Sequence, residues 1–333
     1  MKVFTRDYRI TGEFPSPFNE YVDGMRYSVL DIETSGLSSA NSKCILVGLL
    51  TRTDSGVRVT QFLAENHYEE NRVLEATMDF LDREGIDYLI TYNGKSFDVP
   101  FINARLESTF MGGHISLYDF DLYRFLKLGT DLKKRIGSLR QMSVEDYYGI
   151  FQDRMDTITG RESVSMFDEY SLTGNATLEK VILTHNREDV LQLHRLMYLA
   201  LDDIEDMHTA MALHGFPVMN GKYSVRPSLA KSGKVLKING DQNDEPVSLA
   251  YFPDMDSPLT AVFKEQSSSF EIEVPIENAV GLAGAGESSL YMDARSLGLD
   301  IEEDPDCVNG YLILNPRTVN LAASLIVEQI LQR

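Results

Sequence analysis

The sequence predicts an α/β protein in two parts, and three observations carry that prediction. Three strand-like runs are joined by short turn signals, helical and strand patterns then alternate down to a long helix ending near Leu201, and beyond Gly215 short strand-like runs lead to one closing helix. The first part reads as a sheet flanked by helices, the second as a smaller strand-rich α+β domain. A length of 333 residues fits about two domains.

Residues 1 to about 24, with Pro15 and Pro17, form a polar entry segment to which no function is assigned. Tyr27 to Glu33, Cys44 to Leu50 and Val57 to Leu63 are then separated by Gly/Ser-rich and Asp54-Ser55-Gly56 turn signals, short enough for an antiparallel meander. A helix is expected from Asn71 to Arg83, and a strand from Tyr88 to Thr91 that Asn93-Gly94 ends. Further elements are read at Phe101 to Leu106, Ser116 to Tyr118 and Leu122 to Leu128, and a long helix from about Leu178 to Leu201. The boundary is placed between 25–204 and 205–333, where Asp202, Asp203, Glu205 and Asp206 cluster. Beyond it, Val247 to Phe252, Leu259 to Phe263, Phe270 to Val274, Ser289 to Met292 and Tyr311 to Leu314 read as strands, and Val319 to Leu331 as a helix. The glycines from Gly281 to Gly286 read as a loop, because no helix follows to receive a phosphate.

Composition narrows the function classes. An apolar content of 43% with 25% charged residues is that of a soluble globular protein. Cys44 and Cys307 lack metal-ligand spacing and read as free thiols, which favours a reducing cytoplasm. No apolar stretch reaches a membrane span, and the N-terminus does not look like a signal peptide. The net charge is −20, with about −12 of it after Leu201, which argues against holding nucleic acid through the overall field. A local basic strip suffices for an enzyme that releases its product, and Lys127, Lys133, Lys134, Arg135 and Arg140 offer one; a solvated face is the other reading.

The chemistry lies in three acidic clusters. In Asp31-Ile32-Glu33 the two carboxylates are two apart, so on a strand they share a face and repel, a conflict that a cation resolves; an ordinary strand end with two exposed carboxylates is the other reading. Asp98 follows a strand and a tight turn, in Asn93-Gly94-Lys95-Ser96-Phe97-Asp98-Val99-Pro100-Phe101, and fits either a helix N-cap or a directed ligand. In the long helix Ile182, His185, Asp189, Leu193 and Met197 recur at intervals of three or four, which puts His185 and Asp189 on the apolar stripe. A carboxylate buried there needs a partner: a metal, His185 itself, or a neighbouring strand.

These clusters, Asp31-Ile32-Glu33-Thr34, Asn93-Gly94 to Asp98-Val99-Pro100-Phe101, and His185-x3-Asp189, resemble the three exonuclease motifs of the DnaQ-like (DEDD) superfamily. The second is most similar to the exonuclease domain of family B DNA polymerases. The layout over about residues 26 to 200, including Ser138-Leu139 to Gly149-Ile150, resembles the YprB-type ribonuclease-H-like domain. The resemblance implies a ribonuclease-H-like mixed sheet and a two-metal nuclease, a 3′ to 5′ exonuclease on single-stranded DNA or RNA. It implies Asp31, Glu33, Asp98 and Asp189 as ligands of two Mg²⁺ or Mn²⁺ ions, with Asp31 bridging them, and it offers His185 as the general base. In that superfamily a histidine stands five positions before the aspartate and a tyrosine four, so this chain carries histidine at the tyrosine spacing. Thr34, Asn93, Phe97, Asp121 and Asn186 are offered as substrate contacts, with Asp119 the neighbour most easily confused with Asp121. No polymerase motif follows. The alternative is a catalytically silent scaffold whose acidic C-terminal half engages a basic protein partner.

Overall fold

The computed structural model describes residues 1–109, 112–156, 158–230, 233–253, 258–280 and 288–332; the glycines at 281–286 lie outside these. The described chain divides into one unit of Met1–Asn19 with Asp23–Glu205, and another of Glu20–Val22 with Asp206–Arg333.

The first unit is built on six strands: β1 (Lys2–Tyr8), β2 (Tyr27–Thr34), β3 (Cys44–Thr53), β4 (Gly56–Leu63), β5 (Tyr88–Thr91) and β6 (Tyr118–Asp121). Their order in the sheet is β1-β4-β3-β2-β5-β6. The expected meander is present, since β2, β3 and β4 pair antiparallel in sequence order. Pairing of β2 with β5 and of β5 with β6 is parallel, which makes the sheet mixed. The entry segment contributes an element that its polar sequence does not announce: β1 closes the sheet edge along β4, with Lys2 opposite Leu63 and Tyr8 opposite Val57. β6 starts where the strand expected at Ser116 to Tyr118 was to end. Aspartate disfavours strands, yet parallel pairing with β5 carries the strand through Asp119 and Asp121.

The short α1 (Phe18–Val22) is divided between the two units, and the first unit further holds α2 (Glu70–Arg83), α3 (Asp98–Ser108), α4 (Leu122–Gly129), α5 (Leu132–Ile136), α6 (Gln141–Tyr147), α7 (Gly160–Thr173) and α8 (Ala176–Ala200). α8 lies across β2, β3 and β4, burying Ile182, Val190, Leu193 and Met197 on the stripe that also carries His185. α2 packs on β3 and β4 through Val73, Leu74 and Phe80. Leu30, Leu46, Leu49 and Leu89 of the central strands are essentially inaccessible, so the carboxylates at the strand ends sit on a rigid floor.

The second unit contains α9 (Met207–His214), β7 (Phe216–Val218), β8 (Tyr223–Leu229), β9 (Val235–Gln242), β10 (Leu249–Tyr251), β11 (Thr260–Lys264), β12 (Ser269–Pro275), β13 (Glu277–Val280), β14 (Ser288–Asp293), β15 (Cys307–Val308), β16 (Tyr311–Ile313) and α10 (Pro316–Gln332). A six-stranded antiparallel sheet has the order β10-β11-β12-β9-β8-β7, and a four-stranded one β13-β14-β16-β15. Each strand and the helix expected after Gly215 are present, and β7, β8, β9, β13 and β15 are additional. Gly240 of β9 faces Phe270 of β12, where a Cβ would lie 2.1 Å from the ring; that ring stacks on Phe263 at 4.8 Å. Among the described residues no helix is long and apolar enough to cross a membrane.

Candidate active site

The site begins at the C-terminal half of β2, where Asp31 and Glu33 share one face. Asp31 pairs across the sheet with Gly48 of β3, and a Cβ at Gly48 would lie 2.2 Å from Oδ1 of Asn186. The bare glycine therefore admits the Asn186 amide of α8. Asn186 accepts a hydrogen bond from Gln61 Nε2 at 2.7 Å and donates through Nδ2 to Asp31 Oδ2 at 2.8 Å and to the Asp31 carbonyl at 3.2 Å. The direction of Asp31 is thus fixed by an amide that is itself held from β4.

Asp98 is the first residue of α3, and the N-cap position before it is held by Phe97. Asp98 Oδ1 accepts the backbone N–H of Ile32 at 3.2 Å, which ties it to the strand between Asp31 and Glu33. The N-cap reading of Asp98 gives way to a directed carboxylate, because Phe97 holds the cap position and the Asp98 carboxylate is tied to β2. Asn93 makes the connecting turn with φ at +67°, and Gly94 closes it against Thr91.

α8 supplies His185 and Asp189 one turn apart. His185 Nε2 lies 3.6 Å from Glu33 Oε1 and 3.7 Å from Asp189 Oδ2, while Nδ1 is 2.6 Å from Asp156 Oδ2. Sequence reasoning missed what surrounds this pair. Arg154, with its side chain 1% exposed, donates Nη1 to Glu145 Oε1 at 2.9 Å, Nε to Asp156 Oδ1 at 3.0 Å and Nη2 to Asp189 Oδ1 at 2.6 Å. Gln141 of α6 adds hydrogen bonds to Glu145 and to the Asp189 carbonyl, both at 3.0 Å. A buried arginine among three carboxylates carries no spacing signal, since α6 and residues 154–156 reach α8 only through the fold.

The electrostatics separate the carboxylates into two groups. Burial and the fields of Asp189, Asp98 and Glu33 push the Asp31 carboxyl well above its usual range. Burial also lifts Glu33 to about 7, though His185 opposes it, and lifts Asp98 to about 7 with the help of Asp119 and Asp121. Asp156 is held below its ordinary value, because hydrogen bonds from His185 and Arg154 outweigh its burial. Burial opposes charge on His185, but the Asp156 hydrogen bond and the fields of Asp189 and Glu33 raise it to about 9. The charged form of the ring is thereby favoured in the metal-free protein, whereas the resemblance offers His185 as a general base, a task for the neutral ring.

A divalent cation fits this donor set. Ligand atoms of Glu33, His185 and Asp189 lie within 4.8 Å of one another, the one such group among the described residues. Two hard oxygens with one imidazole suit Mn²⁺ as well as Mg²⁺. Asp31 and Asp98 stand beside that group and not within it, whereas the resemblance implies a set of four carboxylates. Both remain near enough to raise one another's affinity for a proton, and a cation would relieve the same repulsion.

The five expected substrate contacts divide. The Thr34 hydroxyl is committed to the Gly36 carbonyl at 2.8 Å, and Asn186 is fully buried beneath Asp31, so neither side chain is placed to touch a substrate. Asp121, 1% exposed, accepts the Asn93 N–H at 2.7 Å and positions the turn. Asp119, on the same face of β6, accepts from Thr91 Oγ1 at 2.7 Å. Asn93 and Phe97 are half-buried; Phe97 packs on Phe101 with ring centroids 5.5 Å apart, and Asn93 lines an open cavity.

The RNase H superfamily model matches residues 29–201. No curated protein matches the chain. Among solved structures, the chain is similar to that of the family B DNA polymerase from the hyperthermophilic archaeon Pyrobaculum calidifontis, at 18% identity and a TM-score of 0.43, over 64% of this chain and 33% of that one. This chain thus spans about a third of the polymerase's length.

Proposed function

The chain belongs to the RNase H superfamily, and from that premise we propose that it is a metal-dependent nuclease that hydrolyses phosphodiesters of single-stranded nucleic acid from the 3′ end. The observation that carries the reading is the meeting of Asp31, Glu33, Asp98 and Asp189, from three separate segments, in one electrostatically strained group. Glu33, His185 and Asp189 would hold one cation, and Asp31 and Asp98 would serve a second. Bound there, the cations supply neutralisation of the carboxylates, polarisation of a phosphoryl oxygen and activation of water at neutral pH.

The protein's own residues do the rest. Asn186 and Gln61 keep Asp31 pointed into the site, and the Ile32 N–H does the same for Asp98. Arg154 holds one oxygen of Asp189 and leaves the other facing His185. Asp156 fixes His185 at Nδ1, so Nε2 faces the reacting groups. With Glu33 and Asp189 neutralised by a cation, the field that retains the extra proton on His185 would weaken, and its Nε2 lone pair would be free to serve as the third donor.

The test uses oligonucleotides of DNA and RNA labelled at the 5′ or the 3′ end, with Mg²⁺, Mn²⁺ or EDTA. Shortening from the 3′ end that needs a cation and falls about 10³-fold in Asp98→Asn is expected, since losing a metal ligand costs several kcal/mol in the transition state. Cleavage in EDTA, or an unaffected Asp98→Asn protein, contradicts the assignment. The silent-scaffold reading draws on Arg154, whose guanidinium already occupies part of Asp189. Calorimetric titration with Mn²⁺ separates the two readings, because a scaffold takes up no cation at this cluster.

A further inference from the structure

Between the end of β5 and the start of α6 lies an open cavity of about 530 Å³, lined by Tyr92, Asn93, Tyr123, Lys133, Arg140 and Gln141, with Gly137 to Leu139 at its edge. Its charge runs against that of the molecule. Residues 122–140 hold six basic side chains (Arg124, Lys127, Lys133, Lys134, Arg135, Arg140) and one acid, Asp131, in a chain of net charge −20. Asp131 is already paired with Arg135 at 2.7 Å, and Arg124 faces Asp121. Among the described residues Lys133, Lys134 and Arg140 make no ion pair, and all three are exposed. Tyr92 and Tyr123 meet edge to face at 5.9 Å, and Tyr92 is held by its hydroxyl donating to the Leu139 carbonyl at 2.6 Å.

One wall of the cavity touches the carboxylate site, and another touches the Asp121 that positions the turn before α3. Gln141 donates to the Asp189 carbonyl at 3.0 Å, and the Asn93 N–H donates to Asp121 at 2.7 Å. We propose that this cavity is the path of a single nucleic-acid strand, with Lys133 and Arg140 on its phosphates and the Tyr92–Tyr123 pair against its bases, leading the strand to the carboxylates. Unpaired cations beside aromatic rings are the combination that holds single strands regardless of sequence. The size takes a group of about one nucleotide and not a duplex. The proposal deepens the nuclease reading and rests on it for what happens at the strand's end.

The test measures binding in EDTA, so it does not depend on cleavage. Anisotropy of a labelled 12-nucleotide strand is followed against salt for the wild type, for Lys133→Gln/Arg140→Gln, and for a control pair of exposed cations elsewhere, Lys180→Gln/Lys264→Gln. The cavity pair is expected to weaken binding roughly tenfold or more at about 0.1 M salt and to reduce the log–log salt slope by about 1.4, two contacts at about 0.7 each for a single strand. Tyr123→Ala is expected to weaken binding with the slope unchanged. Equal losses in the control pair, or wild-type affinity in the cavity pair, overturn the proposal. If the cavity pair loses binding while the wild type fails to cleave under any cation, the strand path stands and the nuclease reading falls. If Asp98→Asn abolishes cleavage while the cavity pair binds normally, the nuclease reading stands and the strand path falls.

Discussion

Arg317 grips Asp304 with two hydrogen bonds, at 2.7 and 2.8 Å, and Asp306 with a third at 2.8 Å, and both carboxyls are held below their ordinary range by those bonds. Asp31, Glu33 and Asp98 in the other unit meet no arginine among the described residues, and burial together with mutual repulsion moves all three upward. The same residue types thus do opposite things. Acids supplied with their own cation tie a helix start to a loop, as Arg317 does at the beginning of α10. Acids gathered without one store an electrostatic cost that has to be offset by something brought from solution. Asp189 stands between these cases, with Arg154 on one oxygen and the other turned to the site.

Removing the internal cation from each side sharpens the contrast most. Arg154→Ala leaves Glu145, Asp156 and Asp189 without their buried partner and is expected to cost about 3–5 kcal/mol in chemical denaturation. Arg317→Ala, at a position 37% exposed, is expected to cost about 1 kcal/mol because water screens the pair. Equal losses would erase the distinction. Next in size, Mn²⁺ at about 100 times its dissociation constant is expected to stabilise the wild type by about 2.7 kcal/mol, read as a rise in Tm. Asp98→Asn is expected to shrink that rise, and Asp304→Asn to leave it unchanged.

The last contrast is in pH, and its sign differs between the clusters. Glu33 and Asp98 rise from 4.5 and 3.8 to about 7 on folding, so their contribution to stability is full below those ordinary values and is lost as pH climbs through about 7. His185, raised from 6.5 to about 9, extends the decline to higher pH. Asp304 and Asp306, lowered on folding, contribute stability above about 3.8 that is lost as pH falls. Melting in EDTA between pH 4 and 8 is expected to show a decline that Asp98→Asn flattens and Asp304→Asn does not. A flat wild-type profile would mean that Asp31, Glu33 and Asp98 do not repel as described.

Much of the first unit was legible in the sequence because periodicity and chemistry agree there. The runs at β2, β3 and β4, the strand at Tyr88–Thr91 and the stripe on α8 all alternate or recur with the period of their element. β1 was hidden because an edge strand needs only one apolar face and Lys2–Tyr8 shows little of that. α7 had a usable signal in Thr159-Gly160-Arg161-Glu162, whose capping box is formed in the structure. At the site, the positions of Asp31, Glu33, Asp98, His185 and Asp189 could be read, since each sits at a strand end or on a helix face. Arg154, Glu145 and Asp156 could not, because nothing local distinguishes a buried arginine from a surface one. The buried place of Asn186 beneath Asp31 was hidden for the same reason: its neighbours along α8 say nothing of Gly48 across the sheet.

That glycine reaches further than its size indicates. A methyl group at position 48 alters no charge, no ligand and no strand propensity worth noting, and a scan that scores side chains by their own chemistry would pass Gly48→Ala as harmless. The intruding carbon would nonetheless evict the amide that aims Asp31. The least conspicuous exchange in the molecule would then misdirect its central acid from the far side of the sheet.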